Sequence, residues 1–190
     1  MRLAVAAVWV VYLVLFLRLL RGSFEAKESA AGGWAGMILQ LAALGAIGFF
    51  HRSPGHPGYW ADMALSSLGL SCAVAAVLVT RAALSRLGRQ WSLTSRVRDS
   101  HQLITDGPFS KVRHPLYLAF FLLTAGTALA LADWAGIALA LPLSLGGAAV
   151  RARNEERLLR KEFGERFEVY AQEVPFLLPS FLSRSSAKEG

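Results

Sequence analysis

The sequence predicts an all-α protein that crosses a membrane several times, and three observations carry that expectation. Apolar residues make up 54% of the 190-residue chain and charged residues 17%, against roughly 45–50% and 25% in soluble domains. The apolar residues fall in blocks close to the roughly 20 residues that one helix needs to cross a bilayer. Positive charge is concentrated in the segments between alternate blocks. The same composition, with a mean hydropathy of +0.42, excludes a disordered chain, a coiled coil and a secreted disulfide scaffold. Cys72 stands alone and has no partner within the chain.

The first span runs from Leu3 to Leu20, with Arg18 placed to snorkel from its end. A secretory signal is the alternative, but the run is long and no small-residue cleavage site follows it. Trp34 to Phe50 is the second span, anchored at the interface by Trp34. Trp60 to Thr80 is the third, with Asp62 in its first turn, where the helix dipole tolerates an acid. From Arg81 to His114 the chain is polar and arginine-rich, with turn signals at Gly88 and at Gly107-Pro108. Pro115 to Ala132 and Trp134 to Val150 follow as two spans so closely joined, near Asp133, that they read as a helical hairpin. Beyond Arg151 the chain is polar. Leu159, Phe163, Phe167 and Tyr170 recur there at helical spacing, the mark of an amphipathic helix that continues from the fifth span or folds back against it, and that Pro175 and Pro179 then break. Ser183 to Gly190 reads as a polar end. The whole chain is thus one membrane domain: three spans over 1–80, a core over 81–179 and a tail over 180–190.

The net charge of +7 and pI near 10.2 would suggest nucleic acid in a soluble protein. The distribution of charge points elsewhere. Arg18, Arg21 and Lys27 border the first loop, and Arg81, Arg86, Arg89, Arg96, Arg98, Lys111 and Arg113 lie in the long loop. The tail holds eight more, and together these are 18 of the 20 Lys and Arg; Arg2 and Arg52 alone fall on the other side. With five spans, all three segments share one face. The positive-inside rule makes that face cytoplasmic, with the N-terminus outside and the C-terminus inside. Membrane sidedness therefore accounts for the basic excess, and no nucleic-acid partner is expected.

Two polar clusters on that face are candidates for chemistry. In the first, His101 to Phe109 leads into Lys111-Val-Arg-His-Pro-Leu-Tyr117. Pro115 suits the first position of a helix, where its missing N–H is unpaired anyway. Arg113 and His114 then stand beside a helix N-terminus, a ready site for a carboxylate or phosphate. The plain alternative is a basic flank at the membrane entry, with Tyr117 as an interface aromatic. The second cluster is Arg151-Ala-Arg-Asn-Glu-Glu156, where the fifth span leaves the apolar zone. Arg151 and Glu155 are spaced for a surface ion pair, worth only about 0.3–0.5 kcal/mol. Glu155 and Glu156 diverge by roughly 100° on a helix, so one can face a pocket while the other bonds a neighbour. The histidines and cysteine lack ligand spacing, so no metal is expected. No Gly-x-Gly-x-x-Gly follows a strand, which argues against a Rossmann-type cofactor domain.

Taken in order, Gly107-Pro108-Phe109, Arg113-His114-Pro115-Leu116-Tyr117, Glu155-Glu156, Leu159, Phe163-Gly164, Phe167, Tyr170, Pro175 and Pro179 resemble the isoprenylcysteine carboxyl methyltransferase family, part of a wider membrane group with the phospholipid methyltransferases. Leu87 to Ser92 and His101 fit the stretch before this core. The resemblance covers about residues 85 to 179, and Phe109 departs from it where the family often has tyrosine. It implies S-adenosylmethionine as methyl donor, bound on the cytosolic side between the fourth and fifth spans. A lipophilic or prenylated acceptor would enter from the bilayer. On that reading His101, Leu103, Ile104, Gly107, Arg113, His114, Pro115, Tyr117 and Glu156 form the cofactor site. His114 would meet the methionine carboxylate, Glu155 or Glu156 the ammonium or a hydroxyl, and Leu103 and Ile104 the adenine. Arg151 and Glu155 are the candidate catalytic pair. A carboxylate acceptor needs positioning and charge control from Arg151, whereas an amine or thiol needs a base. Phospholipid N-methylation, an NADPH-dependent membrane reductase and a non-catalytic scaffold are the competing functions.

Overall fold

The computed structural model describes residues 2–20, 33–52, 59–87 and 103–179. Among them the fold is helical: α1 (Arg2–Leu20), α2 (Gly33–Phe49), α3 (Tyr59–Leu87), a 3-10 turn (Gly107–Ser110), α4 (Pro115–Leu131), α5 (Trp134–Phe163) and α6 (Glu165–Glu173). By length and composition, two stretches are long and apolar enough to cross a membrane, Asp62–Leu87 and Trp134–Phe163. Leu3–Leu15, Trp34–Phe49 and Pro115–Leu131 are shorter apolar helices. Leu41, Ile38, Leu68 and Leu78 point outward while alanines fill the interior. Such an inversion suits a lipid surround, where packing rather than the hydrophobic effect holds helices together.

Small residues bring the helices into contact. α3 packs on α4, and α2 on α5. A Cβ built on Gly69 would lie 2.5 Å from the Gly126 carbonyl oxygen, and one on Gly147 2.6 Å from that of Gly36. Neither crossing survives a side chain at those positions without separation of the backbones. Around them lie two apolar clusters. Ala43, Ile47, Ala128, Ala132, Ile137 and Ala140 form one, and Tyr12, Ala73, Ala76, Ala119 and Leu123 the other. α1 joins the second cluster, and its Trp9 indole donates to the Thr127 hydroxyl at 2.9 Å. Pro142 sits inside α5, which continues through it, as membrane helices tolerate.

The end opposite the basic clusters is tied by Arg52. Its guanidinium donates to Asp62 at the start of α3 and to the Ala132 carbonyl, both at 2.9 Å. Its backbone N–H bonds Leu131 at 2.7 Å, and Phe50 accepts from Asp133 at 2.8 Å. Asp133 caps α5 by accepting from the Gly136 N–H at 2.9 Å. The α4–α5 connection is therefore as short as the sequence suggests.

Two boundaries differ from expectation. α3 runs on past Thr80 to Leu87, because Arg-Ala-Ala-Leu-Ser-Arg-Leu contains only helix-compatible residues and the first breaker is Gly88. The tail helix expected over Leu159 to Tyr170 is instead two pieces. α5 carries on to Phe163, Gly164 takes a φ of +52°, and α6 starts afresh at Glu165. Glycine alone adopts that backbone without strain, so the helix can turn there and bury Phe167 and Tyr170.

Candidate functional site

The site is built where the N-terminus of α4 meets the polar extension of α5. Pro115 opens α4, and His114 stands just before it with no side-chain capping bond of its own. That frees the imidazole to turn inward, where it is 4% exposed. Its Nε2 lies 3.1 Å from Glu156 Oε1, and its Nδ1 is 3.9 Å from Glu155 Oε2. The ring is also held between Tyr117 and Phe176, with centroids 5.8 and 5.3 Å away.

Glu156 is the hub. It is as buried as His114, and Arg113 Nε lies 2.9 Å from Oε1 while Arg160 Nη2 lies 3.2 Å from Oε2. Burial alone pushes its carboxyl up. The His114 hydrogen bond and the charges of Arg113, His114 and Arg160 outweigh that and leave it below the usual carboxylate range. Glu156 stands well beyond Val150, on the part of α5 outside the apolar zone.

Arg113 carries the cluster to the tail. Its guanidinium donates to the Ala171 carbonyl and lies 5.6 Å from the Phe176 ring centroid. Its backbone N–H bonds the Pro175 carbonyl at 2.9 Å. Tyr170 completes the closure by donating to the Phe109 carbonyl at 2.7 Å; burial pushes its phenol up, so it remains a donor. The turn after Gly107, the start of α4, the polar half of α5 and α6 are thus one unit.

Arg151 and Glu155 occupy the apolar–polar boundary next to this unit. Arg151 does not rely on its i+4 neighbour: Nη1 donates to Gln40 of α2 at 3.1 Å, and its guanidinium lies 5.0 Å from the Tyr117 ring centroid. Glu155 and Arg151 both reach the Tyr117 hydroxyl electrostatically. The Glu155 side chain is 36% exposed and meets His114 only at 3.9 Å, whereas Glu156 is closed in by Arg113, His114 and Arg160, so the two adjacent carboxylates differ in availability.

Of the residues singled out in the sequence, Arg113, His114, Pro115, Glu155 and Glu156 come together, and Tyr117 joins them to Arg151. Leu103 and Ile104 are half-buried in the segment before Gly107. Gly107, with φ +60°, has Arg86 of α3 as its nearest side chain, and that arginine also pairs with Asp106 at 2.9 Å. His101 lies outside the described residues. Sequence reading missed Gln40, Arg160 and Phe176. Arg160 was one turn from Glu156, and Gln40 is the lone amide in an apolar helix; both were signals. Phe176 gave none. Among the described residues, no group of His, Cys, Asp and Glu is arranged to hold a metal.

The described residues form an apolar helical bundle with a charged cluster where two packed helices, α4 and α5, meet. The model of the isoprenylcysteine carboxyl methyltransferase family matches residues 67–161. A protein-S-isoprenylcysteine O-methyltransferase B of Arabidopsis thaliana is 30% identical over 153 residues, 75% of this chain and 71% of its own length. A protein-S-isoprenylcysteine O-methyltransferase of Schizosaccharomyces pombe is 30% identical over 116 residues, 60% of this chain and 48% of its own length. A nickel-cobalt-cadmium resistance protein of Alcaligenes xylosoxydans xylosoxydans is 35% identical over 114 residues, 58% and 52% of the two chains. The chain spans about half the length of these last two relatives. It belongs to the isoprenylcysteine carboxyl methyltransferase family, and is by that membership a membrane methyltransferase.

Proposed function

We propose that the protein transfers a methyl group from S-adenosylmethionine to the carboxylate of a prenylcysteine-like lipid acceptor, forming a methyl ester. The observation that carries this reading is Arg151, held by Gln40 and Tyr117 where α5 passes from apolar to polar. An arginine fixed there receives a carboxylate whose lipid tail stays in the bilayer.

The donor set fits the cofactor. Its amino-acid end needs a donor for a carboxylate and an acid for an ammonium. The α4 N-terminus with His114 supplies the first, and Glu155, the carboxylate left open, supplies the second. Glu156, closed in by His114, Arg113 and Arg160, holds the site together and orients His114. Bound there, S-adenosylmethionine supplies an electrophilic methyl group that leaves its sulfonium sulfur as an acceptor oxygen bonds to it. Arg151 orients the acceptor and neutralises its charge so that approach is in line. No proton needs to move, so no side chain is required to be a base.

On this reading all five apolar helices span the membrane, and the bias of Lys and Arg to alternate segments supports a cytoplasmic cluster with the N-terminus outside and α6 at the inner boundary. Transfer of labelled methyl to a farnesyl-cysteine analogue, phosphatidylethanolamine and a small thiol tests the activity. Base-labile label on the prenylcysteine supports it. Label on phosphatidylethanolamine alone, or binding of NADPH without S-adenosylhomocysteine, overturns it. Arg151→Ala should abolish transfer while S-adenosylhomocysteine still binds.

A further inference from the structure

The α2–α5 contact contains a polar group that the Glu156 cluster does not use. Gln40 is 3% exposed and sits at the closest approach of the two helices. A Cβ on Gly147 would lie 2.8 Å from Gln40 Cγ, so the bare backbone of α5 makes room for the amide. Arg151 Nη1 donates to Gln40 Oε1 at 3.1 Å. A guanidinium only donates, so this bond orients the amide: the oxygen faces Arg151, and Nε2 with its two N–H groups is turned away. Nε2 is buried and meets no acceptor among the described residues. Ser144, fully buried two turns before Arg151 on α5, likewise has a hydroxyl without a partner. A buried donor without a partner is destabilising, and lipid around a bundle offers nothing to satisfy it. The orphan therefore calls for an occupant that accepts hydrogen bonds.

We propose that Gln40 binds the methyl acceptor, its Nε2 donating to an oxygen of the carboxyl group whose charge Arg151 neutralises. This rests on the carboxylate reading above and deepens it to specificity. Arg151 and the free side of Gln40 present donors only. A two-oxygen anion satisfies them together, whereas a protonated amine meets a cation and two N–H groups and is rejected. The preference for a carboxyl over an amine headgroup is thus set partly from α2, outside the stretch that carries the charged motifs.

The test compares Gln40→Met and Gln40→Glu with the wild-type chain in lipid nanodiscs. Glu keeps an oxygen partner for Arg151 but has no N–H; Met has neither. Binding of the neutral methyl ester of a farnesyl-cysteine analogue is measured by competition, because charge repulsion from Glu does not act on it. S-adenosylhomocysteine affinity by calorimetry reports an intact fold. Both variants should weaken the ester about tenfold or more and leave S-adenosylhomocysteine affinity unchanged. Wild-type ester affinity in Gln40→Glu would show that Gln40 serves only to hold Arg151, and overturns the proposal. So does a parallel loss of S-adenosylhomocysteine affinity. Should Gln40→Met not fold, Gln40→Glu decides alone. Ester binding is read without turnover: ester affinity independent of Gln40 in a protein that still methylates the farnesyl-cysteine analogue overturns this proposal alone, whereas methyl transfer to phosphatidylethanolamine alone overturns the carboxylate reading and this proposal with it.

Discussion

Glu156→Gln isolates the charge at the centre of the site, since it keeps the shape and leaves an oxygen for His114. The carboxylate is paired with Arg113, 12% exposed, and with His114, 3% exposed. Removing one member of such a buried group costs about 3–5 kcal/mol, because the remaining charge is left uncompensated. Arg160 adds little: its side chain is 43% exposed and also bonds Glu168 at 2.8 Å, so its share is that of a surface pair, about 0–1 kcal/mol. With one hydrogen bond retained, the expected loss is near the lower bound, about 3 kcal/mol. At about 2–4 °C per kcal/mol for a chain of this size, Tm falls by about 6–12 °C. Intrinsic tryptophan fluorescence during heating in detergent micelles measures it, with Arg160→Gln alongside and expected to shift by less than about 4 °C. A Glu156→Gln protein with the wild-type Tm would refute the hub role. So would an Arg160→Gln protein destabilised as much.

The same carboxyl gives a pH dependence of known sign. Its value is lowered in the folded chain, so its contribution is fully present above the ordinary carboxylate range and is lost as pH falls through the folded value; Tm measured from neutral to acid should lose that component of its acid limb in Glu156→Gln. Gly147→Ala places a methyl 2.6 Å from the Gly36 carbonyl oxygen and should cost about 1–3 kcal/mol as α2 and α5 are forced apart. Gly146→Ala, with nothing within 4 Å, is its control in the same melt and should not be destabilised. Tyr170→Phe removes the 2.7 Å bond to the Phe109 carbonyl; a loss of about 1 kcal/mol is expected, visible as faster proteolysis in the α6 region.

The positions of the helices followed from local signals. Pro115 marks the start of α4, Asp133 caps α5, and apolar block length set α1, α2 and α4 to within a residue or two. Boundaries that depend on a competition were harder. The arginines after Thr80 read as loop although they extend α3, because charge suggests exposure and exposure does not forbid a helix. Gly164 sat inside a regular apolar spacing, and only packing of Phe167 and Tyr170 beneath the site shows that the chain turns there.

The family and the helical blocks were thus contained in the sequence, since motif order and block length are one-dimensional quantities. The division of labour was not. Adjacent carboxylates are chemically identical until the helix meets its neighbours, and contact with His114, Arg113 and Arg160 makes Glu156 the closed hub while Glu155 stays open. Arg151 was expected to choose between a substrate and Glu155. The tertiary structure instead gave it Gln40, 111 residues away in the chain, because two glycines let α2 and α5 approach closely enough for their side chains to share one buried space.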